Sequence, residues 1–220
     1  MSRRTTADNL RRVIVAIDGP AGAGKSSVAR ALAALLGFKY LDTGAMYRAL
    51  TWLALHEGVP LDDGPALEAL AAANPVGFGV GGAVSIAGED VTARIREPEI
   101  DAAVPVVARH PEVREVMRGR QRELGRSGDS VIEGRDIGVV VVPEAEVKVW
   151  LVADPGVRAQ RRHAEREGLG VEELAEELRR RDERDAANTH KAVDAVELDT
   201  TELALDEVVD RVAALVADAG

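Results

Sequence analysis

The sequence predicts an α/β fold: a central parallel sheet flanked by helices, with a small inserted β-containing module and a short helical lid. Three observations carry that expectation. Short β-branched runs alternate along the chain with segments of helical spacing, as strands buried on both faces do between covering helices. The first run, "RVIVAI", passes through a glycine-rich turn straight into the helical segment "SSVARALAALL". One later stretch instead alternates residue by residue, the pattern of a hairpin.

Taken in order, "RVIVAI" is the first strand, and Val28, Leu32 and Leu35 give the next segment one apolar helical face. "FKYLDTG" reads as a second strand and turn. "VGFGVGGAVSIAGEDV" has apolar residues at Val76, Phe78 and Val80, then at Val84 and Ile86, with Gly81-Gly82 between them, and predicts a hairpin. "SVIE" (130–133), "VKVWLVA" (147–153) and "AVELDT" (195–200) complete the strands, the last two followed by clear helical patterns. A hairpin inside an α/β chain marks an insert, at about residues 62–112. Residues 1–220 otherwise read as a single domain without repeats or a linker, and the lid is expected at about 158–175.

Composition narrows the function. With 46% apolar residues the chain is neither disordered nor membrane-embedded, and no apolar run approaches the ~20 residues a membrane helix needs. The basic start "MSRRTTADNLRR" resembles the beginning of a signal peptide, but "VIVAI" is too short for its apolar core, so a cytoplasmic location is expected. A formal net charge of −10 argues against a nucleic-acid binder. The absence of cysteine excludes disulfides, thiolate metal sites and a cysteine nucleophile.

"GPAGAGKS" fits the phosphate-loop pattern G-x-x-x-x-G-K-[ST], in the strand-to-helix context that the pattern requires. Gly19, Pro20, Ala21, Gly22, Ala23, Gly24, Lys25, Ser26 and Ser27 are therefore expected to hold ATP. Glycines let successive backbone N–H groups face inward, and the following helix adds its positive end. Lys25 can reach the β- and γ-phosphates, and the Ser26 hydroxyl can ligate Mg²⁺. No Asn-Lys-x-Asp tetrapeptide is present to read guanine, which favours phosphoryl transfer over a GTPase-type switch.

Arginine placement supports that choice, with ordinary alternatives open at each position. Arg48 lies beyond the "LDTG" turn, either clamping an acceptor phosphate through its fork or resting on a helix surface. Arg135 and Asp136 follow "SVIE" at a strand's carboxyl end, the usual address for ligands in this sheet type, or simply pair within a turn. Arg158, Arg161, Arg162 and Arg166 share one helix face, as a cationic lid or a solvated surface. Arg181 and Asp185 stand one turn apart, as a salt bridge or as partners for sugar hydroxyls.

Together, "IDGPAGAGKSS", "YLDTGAMYR", "GEDVTARIR", "PEVR…RQR", "VIEGRDIG", "PEAEVKVWL", "RRDERD" and "LDTTELALDEVV" resemble, in order, the bacterial cytidylate kinases, P-loop nucleoside monophosphate kinases. The resemblance runs from about Val13 to Val216 and implies transfer of the γ-phosphoryl of ATP to CMP or dCMP with Mg²⁺, by a monomer. It implies that the insert binds the acceptor and that Arg48 and Arg135 hold its phosphate. Thr43, Arg114 and Asp136 would read cytosine, and Arg181 and Asp185 would contact the pentose. Arg158 and Arg162 would act with Lys25 and Arg135 on the moving phosphoryl group, and Asp18 or Glu133 would orient water on Mg²⁺. The chain departs from the family pattern at Pro105, in place of a serine, at Val139, in place of a threonine, and at Asn188, in place of an arginine followed by a longer loop. A kinase for UMP, AMP or shikimate, and a nucleotide-dependent switch, are the alternatives.

Overall fold

The structure, a computed structural model, describes residues 12–165 and 169–219. The basic start of the chain up to residue 11, and Arg166 of the proposed lid face, lie outside the described residues.

In chain order the elements begin with β1 (Ile14–Asp18), α1 (Lys25–Leu36), β2 (Lys39–Asp42), α2 (Thr43–Glu57) and α3 (Gly64–Ala73). The insert continues with β3 (Gly77–Phe78), β4 (Val84–Ile86), β5 (Glu89–Asp90) and α4 (Pro98–Ala108). Then come α5 (Pro111–Gly125), β6 (Ser130–Gly134), a π-turn (Ile137–Val141) and β7 (Val147–Val152). The chain closes with α6 (Pro155–Glu165), α7 (Val171–Asp185), β8 (Val196–Asp199) and α8 (Leu205–Ala219).

Five parallel strands form the main sheet in the order β2-β6-β1-β7-β8. Strand β1 explains its own sequence. Val15 and Ile17 pack against α1 and α8 through Val28, Leu32, Val209 and Val212. Ile14 and Ala16 face the other way, onto Leu41, Ile132 and Val141. A strand covered on both faces has to be apolar throughout, hence the continuous run. Each fully buried Ile or Leu here, such as Ile17 or Leu32, contributes about 1.5–3 kcal/mol.

Local signals set the helix ends. Gly37 (φ 69°) and Gly58 (φ 69°) end α1 and α2 in the left-handed conformation that glycine tolerates. Asp42 caps α2, its carboxylate accepting the Ala45 N–H at 2.8 Å.

The insert differs from expectation in proportion. The predicted hairpin is present, with Phe78 opposite Val84 and positive φ at Gly81 and Gly82. A third strand, β5, pairs with β4 through the Ala87-Gly88 turn, and helices α3 and α4 make up most of the rest. Strands of two or three residues leave little periodicity to read. The insert packs on α2 and α5 through a shared apolar cluster, to which it gives Leu67, Ile86 and Ile95, α2 gives Leu50 and α5 gives Met117. Among the described residues no helix is long and apolar enough to cross a membrane.

Candidate active site

The carboxyl ends of β1, β2 and β6 open into one cleft of about 830 Å³, walled by α4 and α5 on one side and by α6 and α7 on another. The phosphate loop forms its floor. Gly19 has φ 148°, and a Cβ there would lie 2.2 Å from the Leu151 carbonyl oxygen, so only glycine lets the loop pass this close to β7. Lys25 is the first residue of α1, and its Nζ donates to the Pro20 carbonyl at 2.7 Å, spanning the loop. Burial, and then the charge of Arg135, hold its pKa well below the ordinary lysine value.

Ser26 and Glu133 meet beside it. The Ser26 hydroxyl donates to Glu133 Oε2 at 2.9 Å, and the Tyr40 hydroxyl donates to Oε1 at 2.5 Å. Burial, followed by the nearby Asp42, raises the Glu133 pKa. Asp18, the other carboxylate considered for a metal role, accepts the Ile137 and Gly138 amides on its two oxygens, each at 2.9 Å. It anchors the turn after β6, and burial pushes its pKa up to about 6. A hydroxyl beside a carboxylate is a hard oxygen set that suits Mg²⁺ arriving with phosphates. No cluster of three or more acidic, histidine or cysteine ligands occurs among the described residues.

Cationic groups converge at the middle of the cleft. Arg48 is buried, and its Nε and Nη2 both donate to Asp101 Oδ1 of α4, at 3.1 and 3.0 Å. Arg162 of α6 reaches toward the other Asp101 oxygen, at 3.7 Å. Arg135 donates from Nη1 to the Gly19 carbonyl at 2.7 Å, and from Nε and Nη2 to Asp185 Oδ2 at 3.1 and 3.0 Å. Asp185 therefore pairs with Arg135 more closely than with Arg181, whose Nε lies 3.8 Å away. Burial, then Arg135 and Arg48, push the Arg181 pKa down to about 10. A guanidinium destabilised by two others marks a place that favours an anion.

At the far end, Arg114 and Arg118 of α5 both donate to Asp136 Oδ2, at 3.4 and 3.2 Å. Thr43 lines the cleft as well, its hydroxyl donating to the Glu133 carbonyl at 2.6 Å.

Arg158 lies elsewhere than the sequence suggested. It is buried beneath the phosphate loop and is not on the cleft wall. Its Nη1 donates to the Ala21 carbonyl at 2.8 Å and to Asp182 Oδ2 at 2.5 Å, while Asp182 Oδ1 accepts the Ala21 N–H at 3.0 Å. The first turn of α6 fixes this position, because Arg158 there faces the loop while Arg161 and Arg162 face the cleft. Arg161 is held by the Thr200 hydroxyl and carbonyl, at 2.9 and 2.5 Å.

Of the departures, Pro105 lies within α4 and faces the cleft without a donor to offer. Val139 is exposed on the π-turn, away from the cleft. Asn188 lines the cleft, and the short loop after it is tied back by the His190 N–H, which donates to the Arg135 carbonyl at 3.1 Å. Sequence reasoning missed Asp101, Asp182 and Arg118. Of these only Arg118 left a usable signal, one helical turn from Arg114.

A family model described as "Cytidylate kinase" matches residues 15–218. The chain belongs to the cytidylate kinase family. It is 49% identical to a cytidylate kinase of Geobacillus sp. (strain WCH70), over 92% of this chain and 95% of that one. It is 48% identical to a bifunctional pantoate ligase/cytidylate kinase of Synechococcus sp. (strain JA-3-3Ab), over 93% of this chain but 41% of the larger protein. A shikimate kinase from Bacteroides thetaiotaomicron superposes with a TM-score of 0.51 at 16% identity, over 93% of this chain and 98% of that one. At that identity the likeness shows a shared P-loop kinase fold. Family membership sets aside the switch and the other acceptors as alternatives.

Proposed function

We propose a division of labour within the cleft for the reaction of this member of the cytidylate kinase family, transfer of the γ-phosphoryl group of ATP to CMP or dCMP. An oxygen of the acceptor's 5′-phosphate forms a bond to the γ-phosphorus as the β–γ bridging bond breaks, giving CDP or dCDP and ADP. This chemistry asks the protein mainly for alignment and positive charge.

The backbone amides of residues 19–24, Ser27 and the start of α1 hold the ATP phosphates. Lys25 exchanges the Pro20 carbonyl for phosphate oxygens, and the anion stabilises its charged form. Ser26 and, through water, Glu133 would hold the Mg²⁺ that accompanies ATP and neutralises charge on its β- and γ-phosphoryl oxygens. Arg48 exchanges Asp101 for the acceptor phosphate. Arg135 stands between the two phosphates, and Arg181 with Asp185 contacts the pentose. Asp136 accepts from the cytosine N4 amine, Arg114 donates to the ring acceptors and Thr43 assists. Uracil carries a carbonyl in place of that amine, which Asp136 disfavours.

Residues at about 62–112 form the acceptor-binding module, and those at about 158–175 form the lid. Arg162 brings charge over the moving phosphoryl group, and closure excludes water. Arg158 supports catalysis by fixing the loop at Ala21. A monomer is the state we propose, and use of ATP fits a cytoplasmic enzyme.

One observation carries this reading. Lys25, Arg48, Arg135 and Arg181 line one cleft with the Arg114–Asp136 pair, near enough that Arg135 lowers the Lys25 pKa and that Arg135 and Arg48 lower the Arg181 pKa. The test is ADP formation from Mg-ATP with CMP, dCMP, UMP, AMP or shikimate supplied separately. Activity confined to CMP and dCMP is the expected result. Strong activity with UMP would overturn the role given to Asp136. ATP binding without stimulation by any acceptor would overturn the reading as a whole.

A further inference from the structure

The end of the cleft assigned to the base is lopsided in its chemistry. From α4 itself come Val104, Pro105 and Ala108, which present no hydrogen-bond donor from their side chains, with Arg109 following at the helix end. Polar groups of the same cleft that could read a base edge include Arg114 and Arg118 of α5 and Asp136 after β6. Cytosine presents one amine donor, N4, and two acceptors, N3 and O2. A single carboxylate with two guanidiniums matches that edge in number and in sign.

The protein itself leaves Arg118 largely unused. Its Nη2 donates to Asp136 Oδ2 at 3.2 Å, closer than Arg114 at 3.4 Å. Its Nη1 faces Glu115 across 3.9 Å, a weak pairing with an exposed partner. Its Nε is buried and, among the described residues, has no hydrogen-bond partner. Both arginines meet the same oxygen of Asp136, and among the described residues Oδ1 accepts no hydrogen bond. The carboxylate is thus oriented by two cations while its other oxygen remains open toward a donor. Helical geometry makes this possible, because positions 114 and 118 lie one turn apart on one face of α5.

We infer that Arg118 is a second base-reading residue, donating with Arg114 to the ring acceptors of cytosine and supplying from α5 the donor that Pro105 of α4 lacks. The inference rests on the proposed placement of the base against Asp136. It makes Arg118 a specificity determinant that touches substrate, beyond a salt-bridge partner of Asp136.

The experiment compares equilibrium binding of CMP and of ribose 5-phosphate, which has the sugar phosphate but no base, to wild type, R118L, D136N and the double variant. Affinity for Mg-ATP reports on folding and should stay within about twofold. Losing one hydrogen bond from a charged donor should weaken CMP binding by roughly 10- to 100-fold in R118L and leave ribose 5-phosphate within about twofold. The decisive arm is the double variant. If Arg118 touches the base, R118L still weakens CMP in the D136N background. If Arg118 acts only by orienting Asp136, the second substitution costs nothing further and the inference falls. Equal binding of CMP and ribose 5-phosphate by wild type would instead sink the base placement itself. R118K, which keeps the charge but loses the fork, should bind CMP with intermediate affinity and carries the test if R118L does not fold.

Discussion

Removing the Asp101 carboxylate should tighten CMP binding. Asp101 Oδ1 accepts two hydrogen bonds from Arg48, at 3.1 and 3.0 Å, on the fork assigned to the acceptor's phosphate. Carboxylate and phosphate then compete for one guanidinium. The Arg48 side chain is 10% exposed and that of Asp101 23%, so the pair is partly screened. A net value of about 1–2 kcal/mol is reasonable, below the ~1.5–3 kcal/mol of a single well-buried bond to a charged group. In Asp101→Ala that free energy is missing from the free protein and no longer has to be given up when the phosphate arrives. The dissociation constant of CMP should therefore fall by about 5- to 30-fold, with Asp101→Asn in between. Stability without ligand should fall by a similar ~1–2 kcal/mol, because a buried guanidinium has lost its partner. Titration calorimetry with CMP, together with denaturant unfolding with and without it, measures both sides of this balance. Unchanged or weaker CMP binding in a folded Asp101→Ala that still binds Mg-ATP normally would refute the competition.

Other substitutions test other parts of the cleft. Arg48→Ala should raise KM for CMP by about 100-fold and leave KM for ATP within about threefold, as expected for loss of a bidentate phosphate contact; an equal rise for both substrates would return Arg48 to a packing role. Gly19→Ala places a methyl group 2.2 Å from the Leu151 carbonyl oxygen at φ 148°, so ATP binding or the yield of folded protein should be lost, and a normal KM for ATP would contradict the loop geometry. Asp18 gives a pH dependence of defined sign. Its pKa rises from 3.8 to about 6 on folding, so the native state binds more protons than the unfolded chain between those values, and stability falls as pH rises through that window. The loss should reach about 2–3 kcal/mol and be missing in Asp18→Asn; parallel stability–pH profiles from denaturant midpoints would refute it.

The strands and the phosphate loop were legible because they rest on local rules. "RVIVAI" is apolar on both faces because both faces of β1 are covered, and the glycines of the loop occupy positions where backbone or φ excludes a side chain. That Arg48, Arg135 and Asp136 would line the cleft was legible from the strand ends that precede them and from family resemblance. What could not be read depends on distant pairing. Nothing near residue 101 indicates that its carboxylate meets an arginine 53 positions earlier. The arginine face of α6 predicted a shared role for Arg158 and Arg162. Small angular differences on that helix decide instead that one side chain supports the loop while the other lines the cleft. Strand β5 escaped notice because two residues carry no period.

The Arg158–Asp182 pair gives α6 a fulcrum. It joins α6 and α7 to both backbone groups of Ala21, so the root of this helical pair is pinned to the loop that cradles ATP. Arg162 lies four residues beyond the pin, a lever arm of only about 6 Å along the helix. A 10° swing about Arg158 would carry its backbone roughly 1 Å. Such a short arm cannot deliver charge by sweeping a helix across the cleft. In the role proposed for it, Arg162 would have to cover the distance by turning its own side chain away from Asp101, a motion on the timescale of a rotamer, while slower motion would belong to parts of the proposed lid farther from the pin.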